Sequence, residues 1–184
     1  MTRIVGGLAR GRRLRVPKSG TRPTSDQVRE ALFNTVAGLV ELDGSRVLDL
    51  YAGSGAVGLE ALSRGARAAV LVESDAEAAR AISANAAGLG LTGATVVRTS
   101  VERYLSATPT ESFDVVFADP PYALAEADLA AALDRLAAPD WVRNAGVVVV
   151  ERSVRSPEPG WPGALESVKH RRYGDTALWY RRKI

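Results

Sequence analysis

Asp119, Pro120, Pro121 and Tyr122 stand together where the apolar run 113–118 ends. That run reads as a buried strand. Each proline ring fixes φ and removes an N–H donor, so the strand stops and the backbone is held rigid. The corner presents a carboxylate, carbonyl oxygens and an aromatic ring. An exocyclic amine on a flat base has two hydrogens that need acceptors and a ring face that needs a stacking partner. The Asp119 carboxylate and the Pro120 carbonyl can take the hydrogens, and Tyr122 can take the face. With both hydrogens held, the nitrogen lone pair can leave conjugation and act as a nucleophile. A preorganised carboxylate stabilises the positive charge that then grows on nitrogen, and Asp119 can accept the released proton. A base paired in a helix cannot enter such a corner, so it must be unpaired or flipped out. The plainer reading of the four residues is a strand-ending turn with a structural Asp cap.

A second constellation favours the chemical reading. Gly53, Gly55 and Gly58 follow a strand-like run, Val47–Leu50, with the spacing of a dinucleotide fingerprint. Glu73 comes twenty residues after Gly53 and ends the next strand, where a carboxylate can hold a ribose diol. Nicotinamide dinucleotides and S-adenosylmethionine (SAM) both suit these features. Asp49 separates them. A carboxylate in the crevice repels a pyrophosphate but suits the ammonium and sulfonium of SAM. SAM is therefore the expected cofactor. Its expected contacts are Asp49, Tyr51, Gly53, Ser54, Gly55, Glu73, Ser74, Ser100, Val101 and Asp119. Ser100 and Val101 follow the third strand, where the adenine would lie; Ser100 also suits a helix N-cap. The structural alternative for Asp49 is a carboxylate capping nearby amides, a role compatible with ligand binding.

Positioning these groups requires an alternating framework. Strands are expected near 47–50, 68–73, 95–97, 113–118 and 146–151, and helices over 55–64, 75–89, 101–105 and 124–136. Four consecutive valines, 147–150, imply burial on both faces. This is a doubly wound α/β pattern with a mainly parallel sheet. Residues 165–170 and 176–182 flank Tyr173-Gly174-Asp175 as a closing hairpin. A first helix follows Thr24, read as the N-cap of a capping box with Gln27. Before it, residues 3–5 and 14–16 bracket a glycine-rich basic turn, a hairpin extension.

The formal net charge of +3 hides segregation. Residues 1–29 hold eight bases and one acid, residues 30–151 eight bases and seventeen acids, and residues 152–184 eight bases and three acids. An acidic body between basic ends suits a polyanionic substrate. Arg10, Arg12, Arg13, Arg15, Lys18, Arg22, Thr24 and Arg29 are the candidate RNA contacts, with Arg171, Arg172 and Tyr173 as candidates for extending them. The Arg181-Arg182-Lys183 run reads as a solvated tail. There is no cysteine and only one histidine, His170, so no metal is expected. No membrane-length apolar stretch and no signal-peptide core are seen, so a cytoplasmic protein is expected. A monomer is expected.

The sequence resembles a class I SAM-dependent methyltransferase, and more narrowly the RsmD family. The resemblance rests on residues 3–7, 11–14, 21–34, 49–55, 119–122 and 173–176, and spans almost the whole chain. Arg22-Pro23-Thr24 is its most specific segment. It implies a Rossmann-like seven-stranded sheet with an antiparallel last strand, in a methyltransferase domain of residues 21–184 with an RNA-gripping extension of residues 1–20. It further implies methylation of the N2 amine of a guanine in small-subunit ribosomal RNA, met during subunit assembly. The corner alone leaves adenine N6 in DNA or RNA open as the target.

Overall fold

A computed structural model describes residues 2–17 and 24–184. Lys18 and Arg22 lie outside the described residues. Seven strands form one sheet: β1 (Arg46–Leu50), β2 (Ala68–Glu73), β3 (Ala94–Arg98), β4 (Phe113–Ala118), β5 (Val142–Ser153), β6 (Leu165–Tyr173) and β7 (Thr176–Lys183). Their order is β3-β2-β1-β4-β5-β7-β6. Pairing is parallel from β3 through β5, and β7 runs antiparallel to both neighbours. The strand order reverses between β1 and β4, so their carboxyl ends diverge and leave a crevice, the usual ligand position in such sheets.

Strand alternation builds two cores. Val115 and Phe117 face one side, with α1 (Asp26–Ala37), α2 (Ala56–Ser63) and α3 (Ala76–Leu89). Val116 and Ala118 face the other, with α4 (Val101–Leu105) and α5 (Glu126–Ala137). Valines 147–150 have no exposed surface, as a strand covered on both faces requires.

Several local expectations shift. Ser25, not Thr24, caps α1 by accepting from Val28 N. β5 begins at Val142, four residues before the expected start at 146, and α5 begins at Glu126. The basic C-terminal run is no tail. β7 lies inside the sheet, so Arg181 stacks over Trp161 at 4.7 Å and pairs with Glu158, and Lys183 donates to Ala137 O. The N-terminal arm folds back on itself antiparallel about an Arg3–Arg13 bridge, with Leu14 N donating to Thr2 O, Ile4 N to Arg12 O and Gly11 N to Ile4 O. Other amides tie the arm to the body: Leu8 N and Ala9 N reach Ser63, and Arg15 N reaches Asn85 Oδ1. Ile4, Ala9 and Leu14 are buried in the first core, so this basic segment is anchored.

Candidate active site

The glycine turn is built for a close approach between strand and helix. Gly55 caps α2 at φ 77°, a left-handed conformation in which a side chain is strained. At Gly58 a Cβ would stand 2.6 Å from Leu71 Cδ2 and 3.2 Å from Asp49 Oδ2. Gly58→Ala is therefore expected to destabilise the fold by about 1–3 kcal/mol through overpacking. Thermal denaturation checks this, and an unchanged midpoint would contradict it.

Asp49 is only 2% exposed, and its Oδ2 accepts from Gly58 N at 2.8 Å. Burial pushes its carboxyl up to about 8, the Gly58 bond opposes this, and Glu73 adds to it. Asp49 thus stands behind the turn, at the amino end of α2, and does not line the crevice as expected. Its Oδ2 holds the loop. Ser54 and Gly55 are also buried behind that surface.

The crevice itself has a volume of about 270 Å³. It is lined by seven of the expected residues: Tyr51, Gly53, Glu73, Ser74, Ser100, Val101 and Asp119. Thr99, Glu102, Pro121, Leu124 and Val72 complete the wall. Glu73 accepts from Gly53 N and Asp75 N, both at 2.8 Å, so the acid is fixed at the mouth of the turn. A carboxylate has about four lone-pair positions, which leaves Glu73 able to accept from a ligand. Ser100 Oγ accepts from Arg103 N at 3.2 Å, so it is the N-cap of α4 as well as part of the wall.

Asp119 also borders a second, smaller pocket of about 20 Å³, with Pro120, Tyr122, Glu151, Arg152, Ser153 and Thr176. Ala118 pairs with Val150, so Asp119, just past the end of β4, and Glu151, near the end of β5, follow as neighbours on adjacent parallel strands. Burial pushes the Asp119 carboxyl well above its ordinary range; Glu151 and Asp49 reinforce this, and Arg152 opposes it. Burial likewise raises Glu151 to about 7, against the Thr24 hydrogen bond and the Arg29 charge. Tyr122 is 74% exposed and free to offer its ring. Glu151 is not among the residues expected from sequence. The carboxyl-edge rule that places Glu73 applies equally to it.

Thr24 is buried, and its Oγ1 donates to Glu151 Oε2 at 2.8 Å. Arg29 has no exposed surface and cannot contact a phosphate. Its Nε pairs with Glu60 at 2.9 Å, Nη1 donates to Thr24 O at 2.9 Å, and Nη2 reaches Asp26 and Arg3 O. Arg29 is a buried clamp tying the arm, α1 and α2 together. Arg10, Arg12, Arg13 and Arg15 remain exposed on the arm. Arg171 and Arg172 are exposed on β6, near the carboxyl edge. His170 stacks on Trp179 at 3.7 Å, a packing role. Among the described residues no group of three or more metal-type side chains occurs, and no helix is long and apolar enough to cross a membrane.

The doubly wound sheet, its switch-point crevice and the shared Asp119 corner define a SAM-dependent methyltransferase of class I. Comparison with known proteins narrows this. The model of the family described as Conserved hypothetical protein 95 matches residues 2–182. The chain belongs to this family, the RsmD family. It is 39% identical over 161 residues to Ribosomal RNA small subunit methyltransferase D of Escherichia coli K12, covering 87% of this chain and 79% of that protein. It is 36% identical over 180 residues to the putative rRNA methyltransferase YlbH of Bacillus subtilis, covering 96% of each. Among solved structures, the putative methyltransferase yhhF from Escherichia coli superposes with a TM-score of 0.87 at 34% identity, over 98% and 97% of the two chains. A hypothetical protein of Thermus thermophilus gives 0.83 at 41% identity, over 98% of each.

Proposed function

We propose that this protein methylates the exocyclic N2 amine of a guanine in small-subunit ribosomal RNA. The observation that carries this reading is that one carboxylate, Asp119, borders both the large crevice and the small pocket beside Pro120 and Tyr122. Relatives named ribosomal RNA small subunit methyltransferase D supply the RNA class.

The crevice fits SAM by its donor set. Glu73 accepts from the ribose hydroxyls, the amides of Ser100 and Val101 meet the adenine edge, and Gly53 keeps the turn open. When bound, SAM supplies an electrophilic methyl group. The chain's own residues prepare the acceptor. Asp119 and the Pro120 carbonyl hold the two amine hydrogens, Tyr122 stacks on the base, and Asp119 stabilises the charge on nitrogen and takes its proton. Much of the rate comes from alignment.

A protonated Asp119 keeps a carbonyl acceptor but cannot take the released proton or match the charge growing on nitrogen. Burial raises its carboxyl and the charge of Glu151, itself raised to about 7, raises it further, so the two acids retain a proton at mildly acid pH. We expect kcat/KM to rise with pH through the region near 7 and level off above it. A flat profile from about pH 5 to about pH 9 would contradict the role given to Asp119.

Residues 1–20 form a gripping extension on the methyltransferase domain of residues 21–184. Arg10, Arg12, Arg13, Lys18 and Arg22 contact phosphates. Replacing Arg10, Arg12 and Arg13 by Ala should weaken RNA binding and lower the slope of log affinity against log salt by about two. An unchanged slope would remove the arm from the interface. The protein acts as a cytoplasmic monomer on an assembling small-subunit particle, where the target guanine is unpaired.

Purified protein, labelled SAM and either naked small-subunit RNA or a partly assembled particle test the reading. N2-methylguanosine in the digested product is expected, with the particle preferred. N6-methyladenosine would transfer the corner to the other base.

A further inference from the structure

We infer that Glu151 reads the base: its carboxylate accepts the N1–H of guanine while Asp119 and Pro120 hold the adjacent N2 amine. The inference rests on the guanine-N2 reading and assigns specificity to a residue outside the proline corner.

Three observations carry it. Asp119 and Glu151 each come one residue after the paired Ala118 and Val150 of neighbouring parallel strands, and both line one pocket. The pocket volume is about 20 Å³, room for a water and not for a base. Only the edge of a base can enter, while its body lies over the exposed Tyr122. Lastly, Glu151 is held: Thr24 Oγ1 donates to its Oε2, which fixes the side chain and leaves Oε1 for a ligand.

The hydrogen-bonding edges of the bases decide what such a pair accepts. Guanine presents N1–H and N2–H₂ as adjacent donors, which suit two neighbouring acceptors. Adenine presents its amine beside an N1 lone pair, which an ionised Glu151 would repel. Methylation of adenine at this corner is thus disfavoured by Glu151 and not by Asp119.

The test uses the target guanosine, mapped with wild-type protein, and the same RNA carrying 2-aminopurine at that nucleotide. The analogue keeps the 2-amine but lacks O6 and exchanges N1–H for a lone pair, and the Glu151 variant isolates the N1 contribution. Wild type should prefer guanine by about 10- to 100-fold in kcat/KM, the range of a paired base-edge contact. In Glu151→Gln the guanine rate should fall while the analogue rate holds or rises, because the Gln amide can donate to the analogue's N1. The preference should collapse towards unity. Thr24→Val, which releases Glu151, should weaken the same preference less. SAM binding by calorimetry shows that each variant is folded. A wild-type enzyme indifferent to the analogue would overturn the inference. So would a Glu151→Gln enzyme that loses both substrates equally. If wild type places no methyl on the guanine amine, the function itself fails, and the two failures are distinct.

Discussion

Asp119→Ala is expected to lower kcat by at least about 10²-fold, the loss seen when one preorganised transition-state stabiliser is removed. Asp119→Asn should behave similarly, since its carbonyl can accept a hydrogen but carries no charge to match the developing cation. SAM should still bind, because the crevice keeps Glu73, Ser100, Val101 and the glycine turn. Stability separates this role from a structural cap. Burial and two neighbouring acids hold the Asp119 carboxyl well above its ordinary range, which marks an ionised form disfavoured by its surroundings. Removing it should leave the melting temperature unchanged or raise it, as is common where an active site trades stability for function. A variant with full turnover, or one that loses activity only by unfolding, would defeat the assigned mechanism.

The second large effect concerns folding. Arg29→Ala should destabilise the protein by about 3 kcal/mol or more, because it leaves Glu60 buried with a lost partner. Glu60 is fully buried and, among the described residues, keeps Arg64 and the Val5 amide. The variant also frees Thr24 O and Arg3 O, which anchor the α1 entry and the arm. For a chain of this size the melting temperature should fall by roughly 6–12 °C. Arg29→Lys should lose much of this as well, since an ammonium cannot span partners that diverge like those of a guanidinium. A midpoint within a degree or two of wild type would show that the clamp contributes little.

The legible parts of this protein are those written in local sequence. The strand before the glycine turn, the valine run and the proline corner each carry their structural cause within a short stretch of chain. The crevice follows because strand ends and glycine spacing are local too, and the sheet order places those ends together. The illegible parts depend on partners far along the chain. Arg29 sits among basic residues and reads as a phosphate contact; Glu60, thirty-one residues away, makes it a core residue. Arg181 and Lys183 read as a tail until β7 is inserted between β5 and β6. Asp49 lies on the expected strand end, but its orientation depends on the Gly58 amide across the turn. Glu151 lacks a neighbouring motif, and only the register of β4 with β5 sets it beside Asp119.

The central claim is that a SAM crevice and a prolyl corner, joined by one carboxylate, deliver a methyl group to guanine N2 in ribosomal RNA. Mass-spectrometric nucleoside mapping of small-subunit RNA from cells with and without this protein tests it most directly. One N2-methylguanosine should be missing when the protein is absent, and should return with the wild-type chain but not with Asp119→Ala. An unaltered set of N2-methylguanosines, or restoration by the Asp119→Ala chain, would contradict the account.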